Sequence, residues 1–307
     1  MLVALLVLAL AWPIGLALWA DGRLEHVDAL SGAAGTPGTT YLIAGSDSRA
    51  EGVIEDAETQ GARTDTIMLL HQPSSGPAAL ISLPRDSYVA IPGNGSNKLN
   101  AAFAWGGPAL LVQTVEQLSG LTVDHYVEIG FGGVQGVVDA LGGVELCLDY
   151  VVDDADSGLV WPAPGCQVAD GFTALAFARM RHADPEGDIG RAGRQQQLIS
   201  AVAGSVAQPS LLVNPGRQVS LVRAGTDAMA VSDGTNVLDL GRLALAFRAA
   251  TGPEGITGTP PLTSLDYRPG GVGSAVRLDE EQAPGFWAAI RDGSLPAGRV
   301  GGVPPVG

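Results

Sequence analysis

Three close Arg/Asp pairs stand in the first third of the chain: Asp47 with Arg49, Arg63 with Asp65, and Arg85 with Asp86. A fourth concentration follows in FARMRHADPEGDIGRAGRQQQ, Phe177 to Gln197, which holds Arg179, Arg181, Arg191 and Arg194. Guanidinium groups offer rigid forks of donors that match phosphate oxygens. Carboxylates such as Asp47 and Asp65 offer hard oxygens suited to Mg²⁺ shared with phosphate. Together these residues predict a metal–pyrophosphate site. The competing reading is local ion pairs at turns and on a solvated helix face.

Composition narrows the chemistry. The 307 residues carry a formal net charge of −15 and a pI near 4.5, which would repel nucleic-acid phosphates. Sixteen arginines stand against one lysine, Lys98, a bias that partly reflects coding-DNA composition. No Ser-His-Asp or Cys-His constellation is evident. His26, His71, His125 and His182 are scattered and read as structural or surface residues.

The charged residues need elements to position them. TYLIAGSDSR reads as a short apolar strand that breaks at Gly45, and TIMLLHQ and AALISLP as two more. Each Arg/Asp pair then lies at a strand end, where loops converge on ligands in α/β sheets. GPALLVQTVEQLSG predicts a helix stopped at Gly120, VDHYVEIGF a strand, GGVQGVVDALGG a helix and VELCLDY a strand. VLDLGRLALAFRAA and APGFWAAIRDG also read as helices. Strands interleaved with helices argue for an α/β layered domain. The helix DGFTALAFA is expected to end near Ala178, leaving Arg179 and Arg181 on one face of an extended segment. Asp188 is the expected N-cap of IGRAGRQQQLISAVAGSV, with Arg191 and Gln195 four apart on one face. Arg194 falls beside that face and is expected to matter less.

The first twenty residues, MLVALLVLALAWPIGLALWA, carry no charge and have the length of a bilayer-crossing helix. A cleaved signal peptide is the rival, but Leu18 and Ala20 make a poor small-x-small cleavage site. Residues 1–20 are therefore expected to form a transmembrane anchor and 21–38 a linker. The domain is expected over 39–295, with a frayed Pro/Gly-rich tail over 296–307. Cys147 and Cys166 are too few for a typical zinc site. Beyond a membrane anchor they favour a disulfide, with two buried thiols as the alternative.

GSDSR, RTDTIML, SLPRD, KLNAAFAWGG, VDALGGVEL and ARMRH…GDIGRAGRQQQ, in this order over residues 39–210, resemble the LytR-CpsA-Psr family, and the Cys147/Cys166 pair with GGPALLVQTVEQLSG resembles its actinobacterial members. The resemblance implies an α/β/α layered domain with a central mixed sheet, outside the cell membrane on a single N-terminal transmembrane helix. It implies transfer of a glycopolymer, arabinogalactan or teichoic-acid-like, from a polyprenyl-pyrophosphate carrier to peptidoglycan, assisted by Mg²⁺ or another divalent cation. Carried over by motif, Asp47 and Asp65 hold the metal. Arg49, Arg63, Arg85, Lys98, Asn100, Arg179, Arg181, Arg191 and Gln195 contact pyrophosphate. Arg63, Arg85, Asp65 and Asp86 serve catalysis, with either acid as the base for the acceptor hydroxyl. A hydrolase on the same lipid and a non-catalytic lipid-binding or regulatory membrane protein are the alternatives.

Overall fold

The computed structural model describes residues 2–46, 64–180, 188–206 and 208–303. In chain order come α1 (Leu2–Asp21), β1 (Glu25–Val27), β2 (Thr39–Ser46), β3 (Thr64–Gln72), β4 (Ala79–Leu83), β5 (Tyr88–Ile91), β6 (Gly95–Lys98) and α2 (Leu99–Ser119). Next are β7 (His125–Gly130), α3 (Phe131–Leu141), β8 (Val144–Leu148), β9 (Val152–Asp154), β10 (Leu159–Trp161), β11 (Gly165–Ala169), α4 (Gly171–Arg179) and α5 (Asp188–Val206). The chain closes with α6 (Pro209–Leu212), α7 (Pro215–Asp227), β12 (Met229–Ser232), α8 (Val237–Thr251), β13 (Ile256–Tyr267), β14 (Ala275–Leu278), α9 (Ala283–Arg291) and β15 (Gly298–Gly302).

These elements divide between two compact units, so the expected 39–295 domain is shared between them. One comprises Leu24–Ile129 with Ala230–Gly307, the other Met1–Arg23 with Gly130–Met229. The first holds a mixed sheet in the order β1-β12-β7-β2-β3-β4-β13-β14, with β15 also on β13. β2, β3 and β4 pair antiparallel, while β4, β13 and β15 run parallel. Alternation along the strands sorts side chains to two faces. Leu42, Ala44, Ile67, Leu69 and Ile81 pack with Leu111 and Val115 of α2 and Trp287 of α9. Tyr41, Ile43, Leu70 and Leu80 pack with Ala246 and Ala250 of α8. Helices thus cover both faces, as the α/β/α expectation requires.

The second unit has its own core, in which Trp161 and Phe177 lie tilted at 5.6 Å among Leu146, Val152 and Leu159. α3 approaches α7 closely because Gly133 has no Cβ; one there would meet the Ala228 Cβ at 2.1 Å. Cys147 and Cys166 sit directly opposite on β8 and β11 and are joined as a disulfide, as expected.

Several boundaries differ from the sequence reading. The expected 21–38 linker is docked: β1 pairs with β12, Leu24 and Ala29 are buried, and Thr122 Oγ1 donates to Ala34 O. The expected 296–307 tail contains β15, whose glycines allow close approach rather than fraying. At Gly301 (φ 71°) a Cβ would stand 1.7 Å from Thr259 O. α2 comprises two helical segments, because Gly106 (φ −139°, ψ 17°) and Gly107 (φ 62°, ψ −154°) are non-helical; the expected helix from Gly107 forms the second, and the segment from Leu99 before the kink was not expected. The apolar N-terminal run is helical as α1, with Pro13 inside it. Among the described residues no helix is long and apolar enough to cross a membrane.

His71 shows how tightly the sheet is closed. It is fully buried on β3, its Nδ1 lies 2.9 Å from Thr40 Oγ1 on the paired strand, and Nε2 lies 3.4 Å from Arg291 O. Burial holds its imidazole below the usual histidine range, against opposing pulls from the Arg291 carbonyl and the Asp124 charge. The folded state therefore binds this proton less readily than the unfolded chain. Its contribution is full above the unfolded value of 6.5 and is lost as pH falls toward the folded pKa. Thermal unfolding should show stability falling below that pH by up to about 1.4 kcal/mol per unit, and His71→Gln should flatten that slope. Separately, the double variant Cys147→Ser, Cys166→Ser should lose about 3 kcal/mol in denaturant unfolding, the loop-entropy value for a bridge of this span. An unchanged midpoint would refute that contribution.

Candidate functional site

The register of three strands assembles the site. Because β3 runs antiparallel to β2 and β4, the end of β2, the start of β3 and the end of β4 share one sheet edge. Ser46 pairs with Thr64 and Ile67 with Leu83, so Ser46, Thr64 and the turn carrying Arg85 and Asp86 meet at that edge. Between Gly45/Thr66 and Ser46/Thr64 the register shifts, and Asp65 is the extra residue of the irregularity. Bulges of this kind bend a strand locally and recur beside functional sites. Asp47, Arg49 and Arg63 lie outside the described residues, as does the side chain of Asp65.

After β4 the chain turns at Pro84–Ser87, closed by Ser87 N donating to Pro84 O at 2.9 Å. The turn is fixed from two sides. Leu99 N donates to Ser87 O at 2.8 Å and Asn100 N to Arg85 O at 3.0 Å, which ties it to the start of α2. Val276 N donates to Asp86 O at 2.9 Å, which ties it to β14. The β5–β6 hairpin sets Lys98 opposite Tyr88 and so returns Lys98 to the turn. There Lys98 Nζ stands 2.9 Å from Asp86 Oδ1, and Arg85 Nε 3.5 Å from Asp86 Oδ2. The carboxylate is one-third exposed, the two cations somewhat less. Asp86 thereby holds two cations at one sheet edge while its own charge is countered. Arg85, Asp86, Lys98 and Asn100, separated by up to fifteen positions, are brought together at this turn.

The same edge carries residues that the sequence reading passed over. Among the described residues, five buried side-chain polar atoms lack a hydrogen-bond partner, and three of them are Ser46 Oγ, Thr64 Oγ1 and Ser87 Oγ. Buried hydroxyls without partners are rare and call for a ligand, ion or water. The signal was present: each is a hydroxyl residue within two positions of a singled-out acid, in GSD, TD and DS. Among the described residues no group of three His, Cys, Asp or Glu side chains stands together as a metal site.

Arg179, Arg191 and Gln195 belong to the other unit. Arg179 is exposed in the last turn of α4, which runs one residue beyond the expected end, so it is helical rather than extended. Only Met180, with φ −51° and ψ 132°, leaves the helix. α5 begins at Asp188 and carries Arg191 and Gln195 one turn apart. Arg181 and the side chain of Arg191 lie outside the described residues. Arg194 departs most from expectation. It is buried, its Nε donates to Phe177 O at 2.9 Å and its Nη2 to Met180 O at 2.5 Å, with the guanidinium over the Phe177 ring. The C-terminal carbonyls of α4 have no intrahelical partner, and Arg194 supplies one from α5. It fastens the chain on either side of residues 181–187.

Comparison with known proteins identifies the family. A model of the LytR_cpsA_psr family matches residues 20–243. The probable cell wall biosynthesis protein LcpB of Corynebacterium glutamicum is 43% identical over 284 residues, covering 89% of this chain and 66% of that protein. The polyisoprenyl-teichoic acid–peptidoglycan teichoic acid transferase TagU of Enterococcus faecalis is 34% identical over 216 residues, covering 69% of this chain and 67% of that protein. The solved LytR-Csp2A-Psr enzyme from Actinomyces oris aligns with a TM-score of 0.65 at 23% identity, over 87% of this chain and 96% of that one, a likeness of fold. The chain spans just under two-thirds of the length of LcpB and 57% of that of LcpA from the same organism.

The contrast between two arginines of the same stretch can be measured. Arg194→Ala strands two buried carbonyls and should cost roughly 2–4 kcal/mol in denaturant unfolding. Arg179→Ala, at an exposed position, should stay within about 0.5 kcal/mol of wild type. Equal stabilities would show that Arg194 holds nothing in place.

Proposed function

The chain belongs to the LytR_cpsA_psr family, and on that premise we propose that it transfers a glycopolymer from a polyprenyl-pyrophosphate carrier to peptidoglycan. One observation carries the proposal: three buried, unpartnered hydroxyls share a sheet edge with the Arg85–Asp86–Lys98 cluster. A site rich in cations and unused hard oxygens suits a bound pyrophosphate better than a sugar or a peptide. The name of the Enterococcus relative adds the reaction class, since that protein moves teichoic acid from a polyisoprenyl carrier to peptidoglycan. The cargo proposed here is arabinogalactan or a teichoic-acid-like polymer.

In the reaction, an acceptor sugar hydroxyl attacks the phosphorus nearer the glycan. The P–O bond to the bridging oxygen breaks and lipid monophosphate leaves, so the glycan becomes joined to peptidoglycan through one phosphate. Arg85 and Lys98, held by Asp86, neutralise charge on the phosphoryl oxygens as the bridge departs. Arg63, with Arg49 and Asn100, extends that grip. Arg179, Arg181, Arg191 and Gln195 are the phosphate-binding candidates of the other unit. Asp65 or Asp86 takes the proton from the acceptor hydroxyl. Asp86, already countered by two cations, fits a positioning role more closely, which leaves Asp65 as the base candidate if it is not wholly engaged as a ligand.

Mg²⁺ fits the donor set: Asp47 and Asp65 supply carboxylates, and Ser46, Thr64 and Ser87 supply unpartnered hydroxyl oxygens at the same edge. When bound, the ion would neutralise pyrophosphate charge that the arginines leave. We further propose a single-pass position in the cell membrane with the C-terminal domain outside it, a reading supported by the uncharged, apolar run MLVALLVLALAWPIGLALWA.

Asp65→Asn and Asp47→Asn should each lower transfer by roughly 10²-fold with little change in unfolding midpoint, and EDTA should abolish activity. The assay is a lipid-pyrophosphoryl glycan with peptidoglycan acceptor and Mg²⁺, scored for linked product against free glycan. Full activity in EDTA and in both variants would sink the metal assignment. Free glycan as the sole product would reassign the chain to hydrolysis, and no turnover with intact lipid binding would make it a carrier or regulator.

A further inference from the structure

Just past Asp86 the chain carries an aromatic pair that the reaction as described does not use. Tyr88 opens β5 and stands directly opposite Lys98 on β6, so the two side chains share one face of the hairpin. Lys98 Nζ reaches Asp86 Oδ1 from there, which puts the Tyr88 ring beside the cation cluster. On the other side of the turn, β14 docks through Val276 N to Asp86 O and through a bridge between Ser87 and Val276. That docking brings in Tyr267, which β13 sets opposite Ala275 of β14. The Tyr88 and Tyr267 rings meet edge to face, with centroids 5.6 Å apart and planes at 64°. Arg277 Cζ stands 5.0 Å from the Tyr267 ring centroid and holds that ring in turn.

Two half-buried rings set at this angle form an open corner rather than a core contact. Neither belongs to the apolar clusters on the two faces of the sheet, and among the described residues neither phenol is hydrogen-bonded. Aromatic faces with polar tips suit a ligand that is apolar on one side and hydroxylated at its rim. A sugar ring is such a ligand: its C–H face lies on the aromatic ring while its hydroxyls turn outward. Arg277 is about half exposed, and its bridge to the exposed Glu280 is long at 3.5 Å, so its donors are open to sugar oxygens. The position of the corner selects the sugar. In a glycan linked to a lipid through pyrophosphate, the first sugar is bonded to a phosphate and must lie beside the groups that grip it. Arg85, Asp86 and Lys98 fall within residues 20–243, which the family model matches, whereas Tyr267 and Arg277 fall beyond them. A phosphate grip inside the family stretch and a sugar corner partly outside it fit a common reaction on different glycans.

We propose that Tyr88 and Tyr267 form the subsite for the first sugar of the donor glycan, with Arg277 steadying Tyr267 and donating to sugar oxygens. The inference rests on the proposed function and names the part of its substrate that this corner holds. Isothermal titration calorimetry of the full chain in detergent tests it with three probes: farnesyl pyrophosphate, farnesyl-pyrophosphoryl N-acetylglucosamine and a peptidoglycan disaccharide-tetrapeptide. In the wild type the added sugar should tighten binding about tenfold over farnesyl pyrophosphate. Tyr88→Ala and Tyr267→Ala should each remove most of that gain and leave the affinity for farnesyl pyrophosphate unchanged, which also shows that the variants fold. Tyr267→Phe keeps the ring and should match the wild type. So should Arg268→Ala, whose exposed side chain is engaged with Asp266. A gain untouched in both alanine variants would overturn the proposal, as would a loss in Tyr267→Phe equal to that in Tyr267→Ala. Weaker binding of the peptidoglycan fragment in the alanine variants, with the sugar gain intact, would give the corner to the acceptor and overturn the donor assignment. A wild type that binds no farnesyl pyrophosphate would sink the proposed function, and this subsite with it.

Discussion

Antiparallel pairing of β3 with a neighbour on each side is the constraint on which the sheet-edge site depends. β3 is covered on both faces, so its register cannot move without turning apolar side chains into the wrong layer. Once that register is set, Ser46 and Thr64 must face each other and the turn after β4 must emerge at the same edge. Charges that would repel or wander in an open loop are thereby held at the margin of a rigid sheet. Hydrogen bonds from Leu99, Asn100 and Val276 then fix the backbone of Pro84–Ser87, so the Arg85–Asp86–Lys98 geometry is inherited from the fold. Preorganisation of this kind gives fixed charges their value in phosphoryl transfer, because little reorientation remains when the reaction charge develops.

In the other unit a single buried guanidinium does comparable work by different means. Arg194 donates to the carbonyls at the end of α4 and so ties α5 to that end. Arg179 and the α5 residues that follow are displayed from ends whose separation is fixed. A buried arginine that donates to two backbone carbonyls and stacks on an aromatic face acts as a structural pin, although its neighbours in the sequence are the anion-binding candidates.

Much of this was legible in the sequence because the signals were local. The strand-length apolar runs bounded by turn residues, the left-handed glycines at Gly120 and Gly142 and the alternation around VELCLDY each rest on a few adjacent residues. The motif order carried the rest of the candidate site, including Lys98, which only the hairpin brings to Asp86. What escaped was long-range. Nothing near Arg194 announces that its partners are carbonyls of another helix, and nothing in DGRLEHVDAL announces a strand whose partner lies some 200 positions on. The glycines of residues 298–302 looked like disorder because close packing and looseness call for the same residue. The unpartnered hydroxyls escaped because a serine beside an aspartate is ordinary until burial is known.

The bridge between β8 and β11 has a consequence beyond holding a loop. Cys147 and Cys166 are directly opposed, and each flanking pair of the two strands is opposed with them. A slip of one residue would send Leu146 and Leu148 to the outer face and carry the two sulfurs to opposite sides of the hairpin. Oxidation can therefore succeed only on a hairpin that has already found its native alignment. In an oxidising compartment the covalent bond acts as a proofreading step, converting a correct but reversible strand pairing into a permanent one and leaving misaligned chains open to try again.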